Sequence, residues 1–156
     1  MAKTDEEFEA DLLASSDAVF TVARWLHDGG FDVFIPSVKM RKKHEKSIDY
    51  MDDGDLHITK NGVTKKVSVK GWHRTDFTDT SFPFKSVFVA NKRFVDIKGD
   101  QIGYYMTVNS SGTCICIVNT EKTKNSWSLI TYYDKKSRQE ETVYSCPIEL
   151  ATFAKM

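Results

Sequence analysis

The sequence predicts an α+β domain built on a mixed β-sheet, opened by a helix and closed by a shorter one. Three observations predict it. Phe8, Leu12, Val19, Val22 and Leu26 recur at helical spacing before Gly29-Gly30. Asn61-Gly62 separates two alternating segments, as a two-residue hairpin turn requires. Beyond Pro83 the chain is dominated by β-branched and aromatic runs. The 156 residues, 40% hydrophobic and 12% aromatic, suffice for one compact core, with no composition shift or internal repeat to divide them. A single domain over 1–156 is expected.

The opening helix begins at a capping box, Thr4 to Glu7. It runs unbroken to Gly29, or it breaks near Ser15-Ser16-Asp17, where Ser16 or Asp17 would cap a second segment. Residues 31–35 alternate as a strand before Pro36, and a basic connection follows with Lys39, Arg41, Lys42, Lys43 and Lys46. In the hairpin, Lys60 then stands opposite Val63, His57 opposite Lys66, Leu56 opposite Val67, Asp55 opposite Ser68 and Asp53 opposite Lys70. Alternation gives Leu56, Ile58, Val67 and Val69 one face, and Asp53, Asp55, His57, Ser68 and Lys70 the other. Further strands are expected at 84–90, 102–108, 113–118 and 127–133, with Asn109 to Gly112 as a hairpin loop. Residues 91–96 form a short helix or turn, and the segment from Pro147 closes the chain as a helix.

Acids beside a lysine on one sheet face suit metal-assisted attack of water on phosphate. Carboxylate oxygens hold hard cations such as Mg²⁺ or Mn²⁺, and a lysine orients water or stabilises charge developing on phosphorus. Gly54-Asp55-Leu56-His57-Ile58 and Val67-Ser68-Val69-Lys70-Gly71 resemble the two halves of the PD-(D/E)XK nuclease signature, an acid opening one hairpin strand and Glu-x-Lys on its partner. The order helix, strand, Asp strand, Lys strand agrees, and the resemblance extends from the first helix to Phe88. It implies a restriction-endonuclease-like mixed sheet and a small phage-type or resolvase-like endonuclease that cleaves DNA with Mg²⁺ or Mn²⁺. Asp55 would be the principal metal ligand and Lys70 the water-positioning or charge-stabilising group.

Ser68 stands where the family usually has Glu or Asp, and a neutral hydroxyl holds a hard cation less strongly. Asp53 is the preferred substitute, and the helix acid found in relatives maps to Asp17, which also has a plain reading as a cap. The resemblance further implies a possible homodimer. Trp72, His73 and Arg74 would lie at the mouth of the site, the indole to stack on a base and the cations to meet phosphate. Lys42 and Lys43 would add backbone contacts. The bland readings are a solvated basic loop and aromatics that cover the sheet edge.

Two other readings stay open. Loss of the usual acid would leave a catalytically inactive module that binds nucleic acid or a protein, and the β-rich second half could be a protein-binding surface. The formal net charge is zero, so nucleic-acid binding would rest on local clusters. No run approaches the roughly 18 apolar residues of a membrane span, and the charged start is no secretory signal. A soluble, cytoplasmic protein is expected, consistent with a phage product acting in its host. Three cysteines without a Cys-x-x-Cys turn point to reduced, buried thiols. The four histidines make no metal or nucleophile pattern, and no Gly-rich phosphate loop is present.

Overall fold

The computed structural model of the chain describes residues 5–36, 54–72, 75–135 and 137–156, with backbone alone for residues 5–16. Helix α1 (Asp5–Asp28) is continuous, so neither Ser16 nor Asp17 caps a second segment. The propensity cost of the serines is a few tenths of a kcal/mol each, whereas burying a side chain such as Val22 or Leu26 stabilises by about 1.5–3 kcal/mol. The helix ends where Phe31 N–H donates back to the Leu26 carbonyl at 3.1 Å.

Strands β1 (Asp32–Phe34), β2 (Leu56–Lys60) and β3 (Val63–Gly71) form an antiparallel meander. Its central hairpin has the expected register, with Leu56 opposite Val67, His57 opposite Lys66 and Lys60 opposite Val63. Asn61 at φ 53° and Gly62 at φ 76° supply the two positive dihedrals of the tight turn. The chain then makes β4 (Ser86–Asn91) and α2 (Lys92–Lys98), whose first turn is capped by the Asn91 side chain. It returns as β5 (Ile102–Val108), parallel to β3, and turns through Asn109 to Gly112 into β6 (Cys114–Asn119).

The short helix α3 (Thr120–Thr123) leads to β7 (Ser128–Asp134) and its antiparallel partner β8 (Gln139–Pro147). Strand β8 was not expected, because it opens on Gln139-Glu140-Glu141 and alternates only weakly. The closing helix is short, a single 3-10 turn at Ile148–Leu150, and the rest of that segment is strand β9 (Thr152–Lys155). Four residues gain more from pairing with the open edge of β6 than from another helical turn.

The fold is thus mixed α+β. One sheet runs β1-β2-β3-β5-β6-β9 and the other β4-β8-β7. Helix α1 packs Ala18, Val22, Ala23 and Leu26 on one face of the larger sheet, against Leu56, Ile58, Val67 and Val69. On the other face, Ile102, Tyr105, Cys116 and Val118 meet Val87, Val89 and Cys146 of the smaller sheet, with Phe77 filling the end. All three thiols are free and buried, and desolvation pushes Cys116 up to about 12, so it is a core side chain and no nucleophile.

Candidate active site

The site is assembled where the β2–β3 ladder ends. Gly54 sits at φ +93°, and a Cβ there would lie 3.2 Å from Lys66 Cβ and 3.5 Å from Ile102 Cδ1. Only glycine fits, and its turn swings Asp55 out of regular pairing. Asp55 N–H donates to the Val67 carbonyl at 2.8 Å, and its Oδ2 accepts Val69 N–H at 2.6 Å. The expected pairing of Asp55 with Ser68 is therefore replaced by two bonds that bracket Ser68. The regular ladder begins at Leu56.

Lys70 extends from the face of β3 that turns away from α1. In the parallel register Ser68 lies beside Tyr105 and Lys70 beside Thr107, both on the side covered by the smaller sheet. Its Nζ donates to the Val89 carbonyl at 3.0 Å. Phe88 pairs with Ser145 and Ala90 with Tyr144, so Val89 is the extra residue of a bulge, and its carbonyl is turned to the lysine. Burial lowers the Lys70 pKa from 10.5 to about 8, and the nearby Asp55 carboxylate opposes that fall by favouring the ammonium. The Asp55 carboxylate is thus near enough to act on the Lys70 ammonium, although Asp55 itself stands outside the regular ladder. The hairpin's polar face, however, is not wholly open, since β4 lies over its Lys70 end.

Ser68 is half-buried between the two backbone contacts of Asp55. His57 is half-buried further along the same face, between Phe34 of β1 and Lys66 of β3 in the ladder. The Phe34 ring stands 5.7 Å from the imidazole and is 62% exposed, an aromatic that faces solvent. Sequence reasoning passed over it because a single Phe in a short strand carries no distinguishing signal.

Trp72 belongs to an aromatic cluster, with ring centroids 5.4 Å from Phe77, 5.2 Å from Phe82 and 6.1 Å from Phe84. It closes the end of the second core, the bland reading of that residue. Asp17 is exposed on α1 in a recess with Thr21, Gly71, Trp72 and the Ser110–Gly112 turn. Because α1 covers the opposite face of the sheet, Asp17 is not gathered with Lys70. Asp53, Lys42, Lys43, His73 and Arg74 lie outside the described residues.

Among the described residues no three acidic, histidine or cysteine groups converge as metal ligands. Asp55 offers the hard oxygen chemistry that Mg²⁺ or Mn²⁺ requires, and Ser68 offers a neutral hydroxyl. The donor type fits, and Asp53, the other acid of the expected set, lies outside the described residues. In comparison with known proteins, the chain matches no family model, no curated protein and no solved structure. No described helix is long and apolar enough to cross a membrane.

Proposed function

We propose that this protein is a PD-(D/E)XK-like, metal-dependent nuclease that hydrolyses phosphodiester bonds in DNA at Asp55 and Lys70. The observation that carries the reading is the pairing of a backbone-anchored carboxylate with a desolvated lysine at the end of one hairpin. The element order α1, β1, β2, β3 supports it. Asp55, with Asp53, would hold Mg²⁺ or Mn²⁺, which when bound polarises phosphate and acidifies water. Val69 N–H fixes the orientation of the Asp55 carboxylate. The Val89 carbonyl and Asp55 hold the Lys70 ammonium where negative charge develops on phosphorus, and partial burial strengthens that attraction.

Supercoiled-plasmid nicking with Mg²⁺ and with Mn²⁺ tests this. Wild type is expected to nick, and Lys70→Ala and Asp55→Asn each to lose about 10²–10³-fold in rate. Wild type that stays inert with both ions, or nicking that survives both substitutions, would refute the assignment.

Ser68 and the use of the Asp55 carboxylate as a backbone acceptor favour a second reading, a non-catalytic module that retains nucleic acid. It predicts salt-sensitive DNA retention without cleavage and without dependence on metal. Either reading assigns the open face beside the hairpin to nucleic acid, with Phe34 offering a stacking surface and Lys66 a cation. Phe34→Ala is expected to weaken binding of a single-stranded oligonucleotide about tenfold, the effect of losing one base stack. Fluorescence anisotropy at fixed salt measures it, and an unchanged affinity would remove Phe34 from the interface.

A further inference from the structure

The four sheet edges differ in how they are protected against pairing with another chain. Strand β1 has three residues, β9 has four and carries Lys155, and β4 is kinked by the Val89 bulge. Strand β7 has none of these devices. It runs seven residues, Ser128-Leu-Ile-Thr-Tyr-Tyr-Asp134, in unbroken register from Ser128 opposite Ser145 to Asp134 opposite Gln139. It contains no Lys, Arg, Pro or Gly, and among the described residues nothing pairs with its outer edge. Leu129 is 49% and Tyr133 61% exposed on one face. An unbroken edge of this length with exposed Leu129 and Tyr133 invites a second strand.

The sequence of β7 also states which strand fits. Reversed and laid against itself about Thr131, it places Leu129 opposite Tyr133 of the second copy and Ile130 opposite the second copy's Tyr132. Thr131 meets Thr131, and Asp134 meets Ser128. Every large side chain then gains an aliphatic–aromatic cross-strand pair on its own face of the sheet, and no like charges meet. A slip of one residue would turn the second sheet over, set Leu129 against Tyr132 and Ile130 against Thr131, and keep only two of the four aliphatic–aromatic pairs per dimer.

We propose that β7 is a homodimerisation edge: two copies of this chain pair antiparallel through Ser128–Asp134 about a two-fold axis at Thr131, joining two three-stranded sheets into one of six. The contact is isologous, so it closes at two subunits and removes the exposed edge from both. It is small, and association is accordingly weak and concentration-dependent.

Sedimentation equilibrium between about 10 µM and 500 µM, a range suited to small interfaces, tests the proposal on three proteins. Leu129→Glu and Tyr133→Lys alter exposed side chains and leave the fold intact, which circular dichroism checks. Wild type is expected to dimerise across this range. Each variant alone should self-associate at least about tenfold more weakly, since two cross-strand pairs are lost per dimer. An equimolar mixture should recover dimers, because the carboxylate introduced into one copy then meets the ammonium introduced into the other, while the second Leu–Tyr pair is retained. A monomeric wild type overturns the proposal, as does dimerisation indifferent to both substitutions. Loss in the single variants without recovery in the mixture overturns the Thr131-centred register.

Discussion

Lys70→Met is expected to slow the proposed cleavage about 10²–10³-fold while making the fold more stable at pH 7, by about 1–2 kcal/mol. The lysine is held as an ammonium in a partly desolvated position, with its pKa lowered from 10.5 to about 8 by burial against the opposing pull of Asp55. Below pH 8 both folded and unfolded chains carry the proton, and the full penalty of burying the charge is present. Between about 8 and 10.5 the unfolded chain binds a proton that the folded chain has released, so stability from this group rises with pH. The whole interval corresponds to about 3 kcal/mol, less some screening because the side chain is only partly buried.

Methionine preserves length and apolar bulk, and gives up the bond to the Val89 carbonyl, about 1 kcal/mol. The gain over wild type should therefore be largest at pH 7 and shrink towards zero by about pH 10. Urea unfolding of both proteins at several pH values measures the difference and cancels the other lysines and tyrosines. A Met variant markedly less stable than wild type at pH 7 would make Lys70 a structural anchor. If Lys70 acts as proposed, cleavage by wild type should decline as pH rises past about 8, because its ammonium is lost.

Gly54→Ala should damage both stability and chemistry. A side chain at φ +93° carries a backbone penalty, and its Cβ would press on Lys66 Cβ at 3.2 Å, which the paired β3 backbone cannot readily yield. A loss of about 2–3 kcal/mol is expected, lowering Tm by about 5–10 °C in a domain of this size. Relief of that clash moves Asp55 off Val67 and Val69, and a displacement of about 1 Å costs on the order of 10²-fold in rate. Nicking measured well below the lowered Tm separates the two effects. A variant with wild-type stability and activity would show that the glycine turn does not position the carboxylate.

From Leu56 to Val67 the hairpin was legible residue by residue because its information is local. Asn61-Gly62 dictates the turn, the turn dictates the register, and alternation then assigns Val67 and Val69 to the core face and Lys70 to the other. Strands β5, β6 and β7 were equally legible from β-branched and aromatic runs. Strand β8 was not, since its Gln139-Glu140-Glu141 start reads as loop until β7 and β4 supply partners on both sides. The closing segment was legible only in its first turn, for the same reason: Phe153 reads as a helix face in isolation and as a strand residue once Cys116 lies beside it.

At the site, the sequence by itself determined that Ser68 and Lys70 share the face of β3 turned from the core residues Val67 and Val69, with Asp55 just before the partner strand. It did not determine their electrostatic environment. That Asp55 bonds to Val69 N–H, that Lys70 reaches a carbonyl released by the Val89 bulge, and that Asp17 stays across the sheet were decided by tertiary structure alone. The physical reason is range. Turn dihedrals and side-chain alternation act over a few residues, whereas desolvation and bulge geometry depend on strands 19 or more residues apart that meet only when the two sheets close.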